Sequence, residues 1–311
     1  MNGWRISFLF KLIFLLSNII FCSNNATANE FGKKWSPKDF IVVYKKNVSD
    51  DVAEDIKPLF LEDAPLNEIP ESDRLEVENG KSYAVDYRKA PFRKMGALSI
   101  NRLFKSKTKG GLIRCSGQFI KSNLVLTAAH CLENIKSDQQ AKYIAFHRAM
   151  HPKNDKNKSG ISAWNFGWKC FGFARNWITQ SDPDKLIQWD FAIVKVRPIT
   201  TGGALELRYF GDEMVESLPV MAVGYPKNSG NKYRMTAVNG SLTQLDASES
   251  PNVFRMSDNP FNQGASGGAI LDSKNRIVSI ASNIDQGDDT VEGPKFQKNV
   301  MEALIDLVGG C

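Results

Sequence analysis

Histidine is scarce in this chain, which has only three in 311 residues. His147 and His151 have the i, i+4 spacing of two metal ligands on a helix, but no glutamate completes a zincin motif and Pro152 follows at once. We therefore interpret both as surface histidines and expect neither a metal ion nor a cofactor. His130 has a different setting, because it directly precedes Cys131.

After the first 22 residues the sequence also lacks any apolar run long enough to cross a membrane. The N-terminal region carries Arg5 and Lys11, an apolar run over residues 12–22, and the small residues Ala-Thr-Ala ending at Ala28. A signal peptidase reads this pattern, so we expect residues 1–28 to be a signal peptide and the protein to be secreted or periplasmic, with no stable membrane anchor. A retained anchor is the alternative, because the apolar run is nearly long enough to span a bilayer.

Cysteine is sparse as well. Four cysteines remain after removal of the signal peptide, and an even number in an exported chain is consistent with disulfide bonds. They are Cys115, Cys131, Cys170 and Cys311.

The formal charge of +6 is divided unevenly along the chain. Residues 50–78 are acidic, whereas residues 88–114 are strongly basic. Two solvated faces would account for this division. Alternatively, the acidic segment lies on the basic part of the same chain. We expect no nucleic-acid partner, because no aromatic-basic interleaving or binding motif accompanies the charge.

Residues 29–88 show little periodic pattern between their prolines and acids, apart from the apolar run 40–44, which is compatible with a strand. We interpret this segment as an acidic N-terminal extension or propeptide, not as an independent core.

From about residue 90 the sequence has the pattern of short strands between turns. The segments rich in valine, isoleucine, leucine or phenylalanine are 117–125, 191–196, 219–223 and 276–280. This spacing, without intervening amphipathic helices, is typical of a β-barrel or sandwich. Residues 147–177 are rich in glycine, asparagine and lysine, and we expect surface loops there. At the end of the chain, the apolar residues of 299–308 recur at helical spacing and predict a closing helix.

Three local motifs contain residues of types that act in catalysis. The run Thr-Ala-Ala-His-Cys places His130 after an apolar strand, Asp190 directly precedes the apolar run 191–196, and Ser266 stands in the turn Gly-Ala-Ser-Gly-Gly. Each motif alone has a structural explanation, as a packed histidine, a turn aspartate or a glycine-rich loop. Together they occur in the order His, Asp, Ser, separated by 60 and 76 positions.

These residue types belong together chemically. A serine hydroxyl is a poor nucleophile at neutral pH and needs a base to take its proton. A histidine can take that proton and return it to the leaving group, and a buried carboxylate fixes the histidine's tautomer. The glycines let the backbone N–H groups of Gly264 and Ser266 converge on a developing oxyanion. The motifs therefore predict a catalytic triad of Ser266 as nucleophile, His130 as general base and acid, and Asp190 as orienting carboxylate.

With these motifs, the chain from about residue 90 onward resembles the chymotrypsin-like serine proteases, for which Thr-Ala-Ala-His-Cys is among the most specific signatures. Gly224-Tyr225-Pro226 and Gly-Ala-Ser-Gly-Gly-Ala are most similar to the bacterial branch that includes the glutamyl endopeptidases. The resemblance implies an all-β fold of two perpendicular six-stranded antiparallel β-barrels, with the site between them and a C-terminal helix. It also implies that residues 89–311 are a serine endopeptidase domain acting on proteins or peptides.

The same resemblance implies supporting features. It places a disulfide bond between Cys115 and Cys131, which would staple the loop that holds the catalytic histidine. It also places Ser279 near the triad aspartate. By parity, Cys170 and Cys311 either form a second disulfide that ties the closing helix to the first barrel or remain free thiols.

The sequence departs from the family at Ala265, where the digestive enzymes carry an aspartate that pairs with a newly cut N-terminal amine. Alanine cannot make that ion pair, and no Ile-Val-Gly-Gly sequence occurs near residues 85–97. We therefore do not expect activation by insertion of a new N-terminus. Removal of the acidic extension could instead activate a zymogen by unmasking the cleft.

Substrate preference is weakly marked. Pro260 stands where trypsins carry an aspartate, and Asp258 lies two residues before it. Glutamate-cleaving relatives use a histidine downstream of the serine, but no histidine follows His151, which disfavours that preference.

Two other functions are compatible with the motifs, and the sequence does not mark an oligomeric state. A protease-fold protein can lose activity and serve in binding, although such proteins usually replace a triad residue and all three are present here. An esterase could use the same triad. An α/β-hydrolase is disfavoured, because its triad runs Ser, Asp, His along the chain.

Overall fold

The computed structural model describes residues 34–45, 80–104, 111–134, 139–152, 161–199, 202–227, 234–246 and 250–311. The expected signal peptide, residues 1–28, lies outside these ranges, as does the acidic segment 50–78. Within the described ranges, no helix combines the length and the apolar character that a membrane crossing requires.

Antiparallel strands dominate the fold and form two sheets. The first sheet consists of β1 (Phe40–Tyr44), β3 (Met95–Phe104), β4 (Gly111–Lys121), β5 (Leu124–Thr127), β6 (Glu133–Asn134), β7 (Gln139–Pro152), β8 (Ile161–Ala174) and β9 (Ala192–Arg197). The second sheet consists of β2 (Ser82–Ala84), β10 (Leu218–Gly224), β11 (Thr236–Gln244), β12 (Val253–Met256), β13 (Ala269–Leu271), β14 (Ile277–Ile280), β15 (Asn283–Asp285) and β16 (Thr290–Pro294). The helices of the described ranges are α1 (Ala129–Leu132), α2 (Asn176–Thr179), α3 (Pro183–Leu186) and α4 (Lys298–Gly310), with short 3-10 helices at Pro37–Asp39, Phe92–Lys94 and Ile187–Trp189.

Six strands of the first sheet close into a barrel in the order β8-β9-β5-β4-β3-β7, because β7 pairs again with β8. Every residue of β5 is buried, and the rings of Phe119 and Phe146 meet edge to face inside the barrel, with centroids 5.1 Å apart. The second sheet curls in the order β14-β13-β10-β11-β12-β16-β15 over a separate apolar core that includes Phe254 and Phe261. This architecture confirms the expected chymotrypsin-like fold.

The closing helix is also confirmed. In α4 the residues on one face are buried, among them Val300, Leu304 and Val308. The helix lies so close to β8 that a methyl group on Gly172 would come within 2.7 Å of the Val308 side chain. A disulfide bond joins Cys170 of β8 to Cys311 and closes a loop of 141 residues. Because the loop limits the conformations of the unfolded chain, it raises the free energy of unfolding by on the order of 4–5 kcal/mol.

Two expectations about strands are wrong. Residues 147–177 lie largely in β7 and β8 and not in surface loops. Phe166, Phe171 and Phe173 are buried there, and this packing outweighs the turn-forming tendency of the two glycines between them. The run 117–125 is divided between β4 and β5.

The segment 29–88 contributes a strand to each sheet. Its apolar run forms β1, which pairs with the end of β8 from Phe40 opposite Ala174 to Tyr44 opposite Cys170. Strand β2 pairs with β11. The described part of the segment is therefore integrated into the sheets.

Candidate active site

His130 lies in α1, a single helical turn that begins directly after the buried strand β5. Its neighbours Ala129 and Cys131 are fully buried, whereas a third of the His130 side chain (33%) is exposed. The disulfide bond between Cys115 and Cys131 ties this turn to β4. The imidazole is thus held on a rigid base with one side open to solvent.

Asp190 reaches the imidazole because it lies two residues before β9, which pairs with β5. It is 2% exposed. Its Oδ2 lies 2.6 Å from His130 Nδ1, and its Oδ1 accepts a hydrogen bond of 2.7 Å from the His130 backbone N–H. Two bonds from one carboxylate to one residue fix the orientation of the ring.

The serine that supports Asp190 is Ser282 and not Ser279. Ser282 donates a hydrogen bond from its hydroxyl to Asp190 Oδ2. The hydroxyl of Ser279 donates instead to the Pro294 carbonyl, at 2.9 Å, because Ser279 lies within β14 and is enclosed by the sheet. The prediction of Ser279 is therefore corrected. A serine just past the end of an apolar run, as Ser282 is, would have been the better sequence signal.

The electrostatic setting keeps Asp190 ionised. Burial alone would raise its pKa, but the neighbouring His130 and the hydrogen bonds from His130 and Ser282 outweigh burial and hold the pKa below its usual value. An ionised carboxylate at Nδ1 can stabilise an imidazolium.

The turn that carries Ser266 lies beside the histidine. Cys131 Sγ is 3.8 Å from His130 Nε2 and 4.0 Å from the Ser266 carbonyl oxygen. The turn is held by backbone hydrogen bonds from Ser116 N–H to Ser266 O, at 2.7 Å, and from Gly267 N–H to Ala281 O, also at 2.7 Å. The structure therefore places the turn of Ser266 next to the pair formed by His130 and Asp190.

The backbone N–H groups of Gly264 and Ser266 are the donors that the sequence predicts for an oxyanion. Among the described residues, no acceptor is bonded to either of them. Gly264 has a φ of +100°, and a methyl group there would come within 2.6 Å of the Tyr225 carbonyl oxygen. This position thus requires glycine for both its conformation and its packing.

Ser116 joins the two barrels at the site, and sequence reasoning missed its contribution. Its hydroxyl donates to the Gly264 carbonyl, at 2.8 Å, and accepts from the Tyr225 N–H, at 2.9 Å. Its own carbonyl accepts from the Thr127 hydroxyl, at 2.8 Å. The sequence gives only a position next to Cys115, and no local pattern marks the contact with Gly264.

A metal ion does not fit the cluster formed by Cys115, His130 and Cys131. Their potential ligand atoms lie within 4.8 Å of one another. However, the two sulfur atoms are joined in the disulfide bond, and a disulfide sulfur is not the thiolate that metals require. His147 and His151 lie on strand β7 and not on a helix.

Comparisons with known proteins identify the family and the fold. The trypsin-like peptidase domain family matches residues 115–280. Among solved structures, the chain resembles a Glu endopeptidase in complex with MPD, with 21% identity over 73% of this chain and 96% of that one and a TM-score of 0.57. It also resembles the thermostable serine protease AL20 from an extremophilic microorganism, with 18% identity, coverage of 70% and 98%, and a TM-score of 0.55. Protease Anisep from Arthrobacter nicotinovorans has 17% identity, coverage of 70% and 96%, and a TM-score of 0.54.

A search of curated protein sequences gives no significant match. The family match spans more than half of the chain and includes His130, Asp190 and Ser266. The chain belongs to the trypsin-like peptidase family, and it is a serine endopeptidase, a hydrolase of peptide bonds.

Proposed function

We propose that this endopeptidase cuts peptide bonds through an acyl-enzyme on Ser266, with His130 as general base and acid and Asp190 as the carboxylate that orients it. The 2.6 Å contact between Asp190 and His130 Nδ1 carries the proposal. It leaves Nε2 as the nitrogen that can accept a proton, next to the turn of Ser266.

The reaction proceeds in two halves. The Ser266 hydroxyl oxygen attacks the scissile carbonyl carbon while His130 Nε2 takes the hydroxyl proton, and the carbonyl oxygen gains negative charge. The N–H groups of Gly264 and Ser266 donate to that oxygen. The intermediate collapses as His130 returns the proton to the leaving amine. Water, deprotonated by His130, then attacks the acyl-enzyme and releases the acid.

Strand β15 provides a place for an extended substrate. It follows Ser282 directly and stands at the end of the second sheet, where within the described ranges it pairs with β16 alone. An extended peptide can add to such an edge through main-chain hydrogen bonds. This supports a protein or peptide substrate over a small ester.

The proposal includes export. We assign residues 1–28 as a signal peptide, residues 29–88 as an N-terminal extension, and residues 89–311 as the catalytic domain of a secreted or periplasmic enzyme. The disulfide bonds Cys115–Cys131 and Cys170–Cys311 support this, because such bonds persist in oxidising compartments.

Covalent labelling tests the proposed nucleophile. Incubation of the folded protein with an organophosphonate should add one phosphonyl group, and peptide mapping should place it on Ser266, because a base activates only that hydroxyl. The Ser266→Ala variant should remain unlabelled. Two results would favour the binding-protein alternative: a folded wild-type protein that takes up no label, or a Ser266→Ala variant that takes up as much label as wild type. Comparing peptide with simple ester substrates separates a protease from an esterase.

The support of Asp190 by Ser282 predicts a smaller loss. Ser282→Ala should lower kcat/KM about tenfold, the equivalent of roughly 1.4 kcal/mol, because the carboxylate loses one of its hydrogen bonds but keeps both from His130. Ser279→Ala is the matched control, since it removes another buried serine hydroxyl three residues away, and it should leave kcat/KM within about twofold of wild type. The reverse ranking of the two variants would contradict the assignment.

A further inference from the structure

We propose that Ser116 is a positioning residue that sets the geometry of the oxyanion hole. This rests on the proposed function, since it concerns Gly264 and Ser266 as the two N–H donors. Ser116 contacts both residues, the first through its side chain and the second through its main chain.

The hydroxyl of Ser116 has a fixed direction. A backbone N–H can only donate, so the hydroxyl accepts from Tyr225, and a carbonyl can only accept, so the hydroxyl donates to Gly264. Ser116 is 2% exposed. A methyl group on Gly224 would lie 3.1 Å from this hydroxyl, so the surrounding backbone leaves it little room to turn.

The peptide planes on both sides of Gly264 are held by hydrogen bonds, and Ser116 holds the second of them. The plane that contains the Gly264 carbonyl is held by Ser116 Oγ, and its N–H, on Ala265, donates to the Asn262 carbonyl at 3.1 Å. The preceding plane is held by Lys227 N–H, which donates to the Gln263 carbonyl at 2.9 Å. Because C=O and N–H point in opposite directions across a trans peptide, fixing the Gln263 carbonyl aims the Gly264 N–H away from Lys227.

The main chain of Ser116 adds a third fixed point. Its N–H donates to the Ser266 carbonyl, at 2.7 Å. This bond holds Ser266 against the same residue that holds Gly264. Ser116, a residue of the first barrel, therefore contacts both residues that carry the donors. These two residues lie in the turn before β13 of the second sheet.

Ala265 explains why such a device is needed. It is fully buried in the apolar core of the second sheet, and its methyl side chain cannot form an ion pair that would anchor the turn. The neutral hydrogen bonds of Ser116 hold the turn from the side of the first barrel. Without the hydroxyl, the Gly264 carbonyl and the Tyr225 N–H would lose their buried partner, and the plane that carries this carbonyl could rotate towards another donor.

The test compares Ser116→Ala with Ser279→Ala. Ser116→Ala should lower kcat for a peptide substrate about 10- to 100-fold with KM changed less than about threefold, because oxyanion donors act on the transition state and one donor is worth roughly 100- to 1000-fold. The affinity for a peptide trifluoromethyl ketone, whose hemiketal oxygen occupies the same position, should fall by a similar factor. Ser279→Ala removes another buried serine hydroxyl, one that donates to the Pro294 carbonyl at 2.9 Å, and it should keep kcat within about threefold. Ser116→Thr, which keeps the hydroxyl, should recover most of kcat.

Three outcomes would overturn the inference: an unchanged kcat in folded Ser116→Ala, equal losses in Ser116→Ala and Ser279→Ala, or a loss confined to KM. Ser116→Gly, made in parallel, provides the same test if the alanine variant does not fold. The inference fails separately from the proposed function. If Ser266→Ala is as active as wild type, the nucleophile itself is misassigned. If Ser266→Ala is inactive and Ser116→Ala is fully active, the positioning role alone is wrong.

Discussion

Replacing His130 with alanine should lower kcat/KM for a peptide substrate by about 10⁴- to 10⁶-fold, and Ser266→Ala should do the same. The serine hydroxyl is not a nucleophile without a base, and the base has no task without the hydroxyl, so the two act as one unit. The double variant should therefore lose no more than about twofold beyond the worse single variant. Initial rates with a fluorogenic peptide, followed over hours for the variants, measure this.

His147→Ala is the matched control for the histidine substitution. His147 lies on the same barrel, and its ring also makes two hydrogen bonds, to Asn165 and Ser99. It lies in the middle of β7, away from the α1 turn, so its loss should leave kcat/KM within about threefold of wild type.

Additive losses in the His130 and Ser266 double variant would mean that the two residues do not work in one reaction step.

Asp190→Asn should lower kcat about 10³- to 10⁴-fold. The His130 backbone N–H requires an oxygen at the position of Oδ1, so the amide nitrogen of asparagine would replace Oδ2 and face Nδ1. An amide donates there, which forces the proton of the imidazole onto Nε2. The ring could then no longer accept the Ser266 proton, while fold and substrate binding would be largely unchanged.

Asp272→Asn is the control that separates chemistry from stability. Asp272 is buried and is paired with Arg276 and Arg208 at 2.7 and 3.2 Å. Burial raises its pKa, but the hydrogen bonds and charge of Arg276 outweigh this and leave the pKa below its usual value. A lowered carboxyl pKa stabilises the fold above the ordinary pKa of aspartate, and this contribution is lost as the pH falls towards the folded-state value.

Asp272→Asn should therefore lower the melting temperature at neutral pH, by an amount that shrinks under acidic conditions, and keep kcat at 25 °C within about threefold of wild type. Asp190→Asn should instead lose far more kcat than any accompanying loss of folded protein explains. If both variants lose activity only in proportion to their loss of folded protein, Asp190 would be a structural residue and not part of the triad.

The sequence predicts the reacting groups better than their supports. His130, Asp190 and Ser266 each stand in a local motif whose residue types follow from the chemistry. Ser282 and Ser116 stand in no such motif. Ser282 contacts Asp190 and Ser116 contacts Gly264, and these partners are 92 and 148 positions away in the sequence. Such contacts depend on how two sheets meet. A serine is also common enough in strands that its presence alone indicates nothing.

The fold shows the same division. The short strands and the closing helix follow from runs of apolar residues. Strand β8 was missed, because two glycines and a lysine lie among its buried phenylalanines. A bent strand that pairs with β7 over one half and with β9 over the other tolerates such residues, since its sequence serves two different sets of neighbours.

Strand β1 has a consequence for solubility. It covers one edge of residues 170–174 in β8, whose other edge is bonded to β9. An uncovered edge presents a row of free N–H and C=O groups, which is a template for pairing with another chain. β1 therefore protects the first barrel against edge-to-edge aggregation. A chain shortened to residues 89–311 would keep every catalytic residue and lose that protection.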